Sequence, residues 1–308
     1  MSKNFKTSIG GQALMEGVMM RGPRKSAMAV RKPDGELYTE VWDNSPRKIW
    51  NRLPLVRGVV NMVERLVVGY RCLMKSAEIS TEGMEDDEEP GKFEQWLEKT
   101  FGDKVTNIFL GIGSVLGVVL AIVLFMLLPA WLVGLGEGFL PRWGMSVLEG
   151  ILKIAIFIGY MALVGRIPEM YRMFQYHGAE HKTIACYEAG EPLTVENIRK
   201  HCRFHPRCGT SFIFIVLILG ILIFSVVTWD NAVVRTILKL VLLPVVVGFA
   251  YELIKLAGRY DNWFTRIVSF PGLQNQRITT HEPDDSMIEA AIASMTPVLP
   301  EQEGEDKW

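Results

Sequence analysis

The sequence predicts a mainly α-helical fold: a multi-pass membrane helix bundle with a small cytosolic β-containing module at its N-terminus and amphipathic interfacial helices. Three observations predict it. Hydrophobic residues make up 49% of the 308 and the mean hydropathy is +0.19, too apolar for an ordinary soluble protein. Four segments, 108–135, 146–165, 211–229 and 233–257, approach the roughly twenty apolar residues that cross a bilayer. Residues 9–42 lack helical periodicity and read as short strands separated by turn signals.

In order, residues 1–50 form the β-containing module. The start MSKNFKTSIG has no apolar core and no small-residue cleavage site, so it is expected to stay in the cytosol. Strands are expected at Ala13–Met20, Ala27–Arg31 and Leu37–Trp42, with Lys32-Pro33-Asp34-Gly35 as a hairpin turn. Glu16 falls inside the first strand and Arg21 to Lys25 form a basic loop. Residues 51–80 place Leu55, Val59, Met62, Val63, Leu66, Val67 and Tyr70 at helical spacing, interrupted by Arg57, Arg65 and Arg71. That is an amphipathic helix, lying on the membrane surface or packing on the bundle, rather than a span. Residues 81–92 are an acidic linker, and 93–104 resume helical periodicity.

The membrane region is 93–257, with a cytosolic His/Cys loop at 166–210. Pro129 and Pro244 should kink or end regular helix. Lys and Arg are scarce near 142 and 231 but dense before the first span, between the second and third, and after the fourth. Both termini and the loop are therefore expected in the cytosol. Residues 258–308 hold an interfacial helix closed by Pro271-Gly272, a short helix begun by Asp284 and Asp285, and a disordered acidic tail.

A net charge of −1 gives no basic excess for nucleic acid, so the expected partners are the lipid bilayer and other membrane proteins; oligomeric state is not readable. Four cysteines, at 72, 186, 202 and 208, do not form a secreted disulfide framework. No internal repeat, P-loop or Rossmann glycine fingerprint is present.

The chemistry gathers in residues 176–210, which contain four of the five histidines. His177 and His181 project from one helical face with Glu180 beside them, the form H-x-x-E-H in which two imidazoles hold a metal and the glutamate acts as general base. Cys202, His205 and Cys208 add thiolate and imidazole at short spacing, a mixed set that favours zinc. The same groups could instead be polar residues on a solvated face and a closed zinc knot or inert thiols. Glu188, Glu196 and Glu252 are candidates for a third carboxylate ligand, though Glu252 is better explained by a salt bridge to Lys255 or Arg259.

Three stretches, GGQALMEGVMMRGP at 10–23, YHGAEHKTI at 176–184 and HPRCGTSF at 205–212, resemble the bacterial YqhQ family, an uncharacterised membrane family. The likeness spans nearly the whole chain. It implies a multi-pass inner-membrane protein of a kind described as a predicted metal-dependent enzyme, with His177, Glu180, His181, His205 and Cys208 as site residues. The expected function is a zinc-dependent membrane hydrolase with a cytosol-facing site, metal at His177, His181, Cys202, His205 and Cys208, and Glu180 catalytic. The other reading is a non-catalytic scaffold or assembly factor with a structural zinc.

Overall fold

The computed structural model describes residues 5–46, 48–83, 105–136, 138–226, 232–260, 262–302 and 304–307. Among these the chain is mainly helical and carries one four-stranded antiparallel meander: β1 (Gly10–Leu14), β2 (Gly17–Arg21), β3 (Lys25–Arg31) and β4 (Leu37–Asp43). The expected single strand Ala13–Met20 is in fact a hairpin, with Leu14 paired to Gly17 around Met15 and Glu16. Glu16 adopts a left-handed φ of 49° and sits in the turn, its carboxylate held by Arg172 and by the Tyr176 hydroxyl at 3.2 Å. A mostly apolar run conceals this turn because Gly17 is its only turn-forming residue. The Lys32–Gly35 turn forms as expected, Gly35 at φ 89° donating its N–H to Lys32 O at 3.0 Å.

The helices are α1 (Val56–Ser80), α2 (Val105–Ile122), α3 (Leu128–Gly134), α4 (Arg142–Val164), α5 (Pro168–Ala189), α6 (Val195–Arg199), α7 (Gly209–Val226), α8 (Ala232–Arg259), α9 (Trp263–Thr279) and α10 (Asp285–Met295). Strands β2 and β3 are buried on both faces, which is why they read as continuous apolar runs. Val18, Met20, Ala27 and Ala29 pack with Tyr176, Ala179 and Ile184 of α5 and Met287, Ile288 and Ala291 of α10. Met19, Met28 and Val30 face the other way, onto Cys72 and Ile79 of α1. The second half of α1 therefore covers the sheet. Its first half packs on α8, where a Cβ on Gly58 would come within 2.6 Å of Tyr251.

Among the described residues three helices are long and apolar enough to cross a membrane: Gly111–Gly134, Trp143–Val164 and Ile237–Ala257. A fourth apolar stretch, Ser211–Phe224, is shorter, and the expected span 211–229 runs past the described residues. A π-turn at Val123–Leu127 precedes Pro129, whereas α8 continues through Pro244. Residues 84–92 of the expected linker, the 93–104 helix and the turn near 231 lie outside the described residues.

Two further expectations are corrected. Helix α9 does not close at Pro271-Gly272 but runs on to Thr279. A Cβ on Gly272 would lie 2.5 Å from Ser211 Cα, so that glycine marks a close crossing of α9 over α7 rather than a helix end. The acidic tail is not free: Asp306 is buried, accepts from Thr7 Oγ1 at 2.5 Å, and Thr7 bridges to Lys307, so the two ends of the chain meet.

Candidate metal centre

Helix α5 carries the centre. Pro168 starts it, where a missing N–H costs nothing, and Gly190 stops it in the left-handed conformation at φ 75°. From Gly178 to Ile184 every residue is buried, because β1, β2, α10 and the loop before α7 enclose this helix on all sides. The glycine of the His-Gly-Ala-Glu-His motif has a steric reason: a Cβ on Gly178 would lie 2.0 Å from His281 O, where the chain leaving α9 passes. That passing segment is fixed by His281 N–H donating to Phe174 O at 2.9 Å and by His281 stacked on Tyr171.

His177, His181 and Cys208 each offer one ligand atom, and the three atoms lie within 4.8 Å of one another. Each histidine is oriented from behind. His177 Nδ1 is 2.8 Å from Thr279 O and His181 Nδ1 is 2.6 Å from Arg203 O. A carbonyl only accepts, so each Nδ1 carries the proton and each Nε2 is left to face inward. His177 Nε2 is 3.2 Å from Cys208 Sγ, while His181 Nε2 is buried with no hydrogen-bond partner. An orphaned buried nitrogen beside a thiol and a second imidazole is the donor set that a zinc ion satisfies.

Burial pushes the Cys208 thiol up, but the His177 and His181 imidazoles together outweigh it and hold the thiol well below its usual range. Burial opposes the charged form of His177, and the Cys208 sulfur overrides it, raising that imidazole to about 9. The thiolate is the form that ligates, so the two imidazoles favour the state of Cys208 that a metal takes. Glu180 is 5% exposed and burial raises its pKa. Its Oε1 accepts Gly11 N–H at 3.0 Å, and its Oε2 is buried without a partner.

The remaining expected ligands fall outside this trio, although the His205 ring lies 5.6 Å from that of His181. His205 is clamped by Gln276, which accepts its N–H at 2.8 Å and donates to its carbonyl at 2.7 Å. Its Nε2 accepts from Arg207 at 3.1 Å and lies 3.8 Å from Glu188 Oε2, so that nitrogen is already engaged. Cys202 is exposed, its sulfur accepting Phe204 N–H at 3.5 Å. Glu188 pairs with Arg207 and accepts Thr7 N–H at 2.7 Å; Glu196 is exposed beside Lys200. Glu252 pairs with Arg57, with the Lys255 charge also acting on it, its Oε1 accepting Arg57 Nε at 2.7 Å and Leu55 N–H at 3.3 Å. A second group, Cys186, Glu191 and His201, also brings its ligand atoms within 4.8 Å. Burial there pushes the Cys186 thiol up to about 11, and its sulfur lies 3.6 Å from Pro192 O. The sequence reading passed over Thr279, Arg203 and Gly11, which act through main-chain atoms and leave no residue-type signal.

Fold and centre together define a class: a mainly helical chain with a sandwiched four-stranded sheet, apolar helices of membrane-crossing length and a buried His/His/Cys cluster. The chain matches a family described as a protein of unknown function, DUF1385, over residues 53–301. It is 34% identical over 300 residues to the uncharacterised protein YqhQ of Bacillus subtilis (strain 168), covering 95% of this chain and 92% of that one. The chain belongs to this YqhQ family. No solved structure matches it.

Proposed function

We propose that this chain is a multi-pass membrane protein that holds zinc with His177, His181 and Cys208 and hydrolyses a membrane-associated ester, amide or peptide bond at the cytosolic surface. The reading is supported by one observation above all: two imidazoles turned inward by backbone carbonyls converge on the Cys208 sulfur, with a Glu180 oxygen nearby that nothing engages. Three protein ligands leave a fourth position open, as in catalytic rather than structural zinc sites. When bound, the zinc supplies Lewis acidity that makes water nucleophilic near neutral pH. Glu180 takes the proton at Oε2 while Gly11 N–H holds Oε1 still, and returns it to the leaving group. His205 stands behind His181, its ring 5.6 Å away, with Gln276 holding its main chain in place.

A second reading is favoured by enclosure. His181 is 1% and Cys208 8% exposed, so a metal there would also fasten α5 to the start of α7, as in a scaffold that binds other membrane proteins. Zinc content and complementation separate the two. His177→Ala, His181→Ala and Cys208→Ala each lose most of the metal in purified full-length protein. Glu180→Gln keeps metal and abundance but lowers function in a strain lacking the gene by roughly 10²–10⁴-fold, the usual worth of a general base. Full complementation by Glu180→Gln, together with loss of the protein itself in Cys208→Ser, selects the scaffold.

A further inference from the structure

Along α1 the inward-facing stripe runs through Gly58, Gly69, Cys72, Ser76 and Ile79, all buried. Asn61 belongs to it and donates from Nδ2 to Tyr251 OH at 2.9 Å. Arg65 lies on the same stripe, one turn from Asn61 and one from Gly69. Yet Arg65 is exposed, and among the described residues no hydrogen bond or ion pair engages its guanidinium. An inward-pointing arginine that solvent still reaches lines a gap.

The opposite wall can be placed. Strand β1 runs alongside α1: Gln12 Nε2 is 3.5 Å from Gly69 O, and Met15 N–H donates to Ser76 Oγ at 3.2 Å. From Gly69 to Ser76 the helix advances about 10.5 Å, and from Gln12 to Met15 the strand advances about 10 Å, so the two keep level. Carried back by the same rises, about 6 Å of helix and about 6.6 Å of strand bring Gly10 level with Arg65. A Cβ on Gly10 would meet nothing within 4 Å, so that face of β1 is bare. The next residue points to the other face, where a Cβ on Gly11 would come 3.0 Å from Glu180 Cδ. Arg65 thus stands across an open gap from the glycine pair that backs Glu180. Crowding by protein pushes its guanidinium pKa down, and the charges of Tyr251, Arg21, Glu180 and Glu64 all act on it.

We infer that this gap is an anion-binding subsite in which Arg65 receives the phosphate group of the molecule the centre acts on, the nearby Arg21 being held by Glu64 at 2.6 Å. The guanidinium fork matches phosphate oxygens two at a time. Tyr251 belongs to the apolar segment Ile237–Ala257, which puts the gap beside a membrane-crossing stretch, so the phosphate is that of a lipid headgroup or of a free phosphate ester. Calling the ligand a substrate rests on the proposed function; its binding does not.

The test is calorimetric titration of purified full-length protein in neutral detergent with dioctanoyl phosphatidic acid, with inorganic phosphate and with dioctanoylglycerol. The phosphate-bearing lipid binds and the neutral one does not, and Arg65→Gln weakens binding about tenfold or more while Arg65→Lys recovers part of it. Arg71→Gln, on another face of α1, binds as the unaltered protein does. Binding survives in His177→Ala, so a failed metal reading and a failed subsite give different results. Binding of inorganic phosphate that depends on Arg65 assigns the site to phosphate at large; dependence seen with the lipid alone assigns it to headgroups. Absence of binding by both, or equal binding by Arg65→Gln with an unchanged unfolding midpoint, overturns the proposal.

Discussion

His177 and His181 give their Nδ1 protons to the carbonyls of Thr279 and Arg203, and these contacts decide which expected ligands are equivalent. His205 has the same ring but spends its Nε2 on Arg207, with Glu188 close by. His205→Ala is therefore expected to keep most of the zinc that His177→Ala loses, and Cys202→Ser to keep all of it, as read by metal analysis of the purified protein. Equal loss in His205→Ala would mean that the loop rearranges to bring a fourth ligand in. The pair at i and i+4 and the downstream thiol were legible in the sequence because helical spacing and residue chemistry carry them. The difference between Cys208, at the mouth of α7, and Cys202, exposed in the loop, was not, since spacing alone does not say which way a loop turns.

Elements meet here through glycines that periodicity cannot flag. Gly178 admits the chain leaving α9, Gly272 admits α7, and Gly248 admits Leu55, whose backbone oxygen would be 2.7 Å from an added Cβ. Gly178→Ala puts a methyl 2.0 Å from a backbone oxygen tied down at His281, so one element must shift. The expected cost is about 1–3 kcal/mol, the range for overpacking a closed contact, with a lowered unfolding midpoint and reduced metal content. Gly159→Ala, where nothing lies within 4 Å, should leave both unchanged. The same blindness explains the missed β1–β2 turn and the misplaced end of α9. A short apolar run hides a hairpin, and Pro-Gly signals a stop unless a neighbouring helix needs the space.

At the scale of the whole molecule, the sheet, α1, α5 and α10 share cores, and the chain ends join through Thr7 and Asp306 and through Arg24 with Glu301 at 2.9 Å. A folded body that includes segments before, between and after the apolar helices must lie on one side of a bilayer. In a bilayer the chain would then cross an even number of times between α1 and α5, and Gly111–Gly134 and Trp143–Val164 have the length and composition for two crossings. It would also cross an even number of times between Cys208 and α9. If Ile237–Ala257 crosses, α7 must cross as well, although its apolar stretch Ser211–Phe224 is short; its 18 residues are about 27 Å long, close to a bilayer core. The Lys and Arg distribution is the ground for expecting the shared body in the cytosol. Native Cys202 reports on this directly, because it is exposed while Cys72, Cys186 and Cys208 are buried. A membrane-impermeant maleimide should leave the protein unlabelled in intact cells and label Cys202 in inverted vesicles, whereas Asn231→Cys should label in intact cells. Labelling of Cys202 from outside would reverse the orientation and move the centre off the cytosolic face. Failure of Asn231→Cys to label from either side would leave α7 and α8 as a hairpin that enters the bilayer without crossing it.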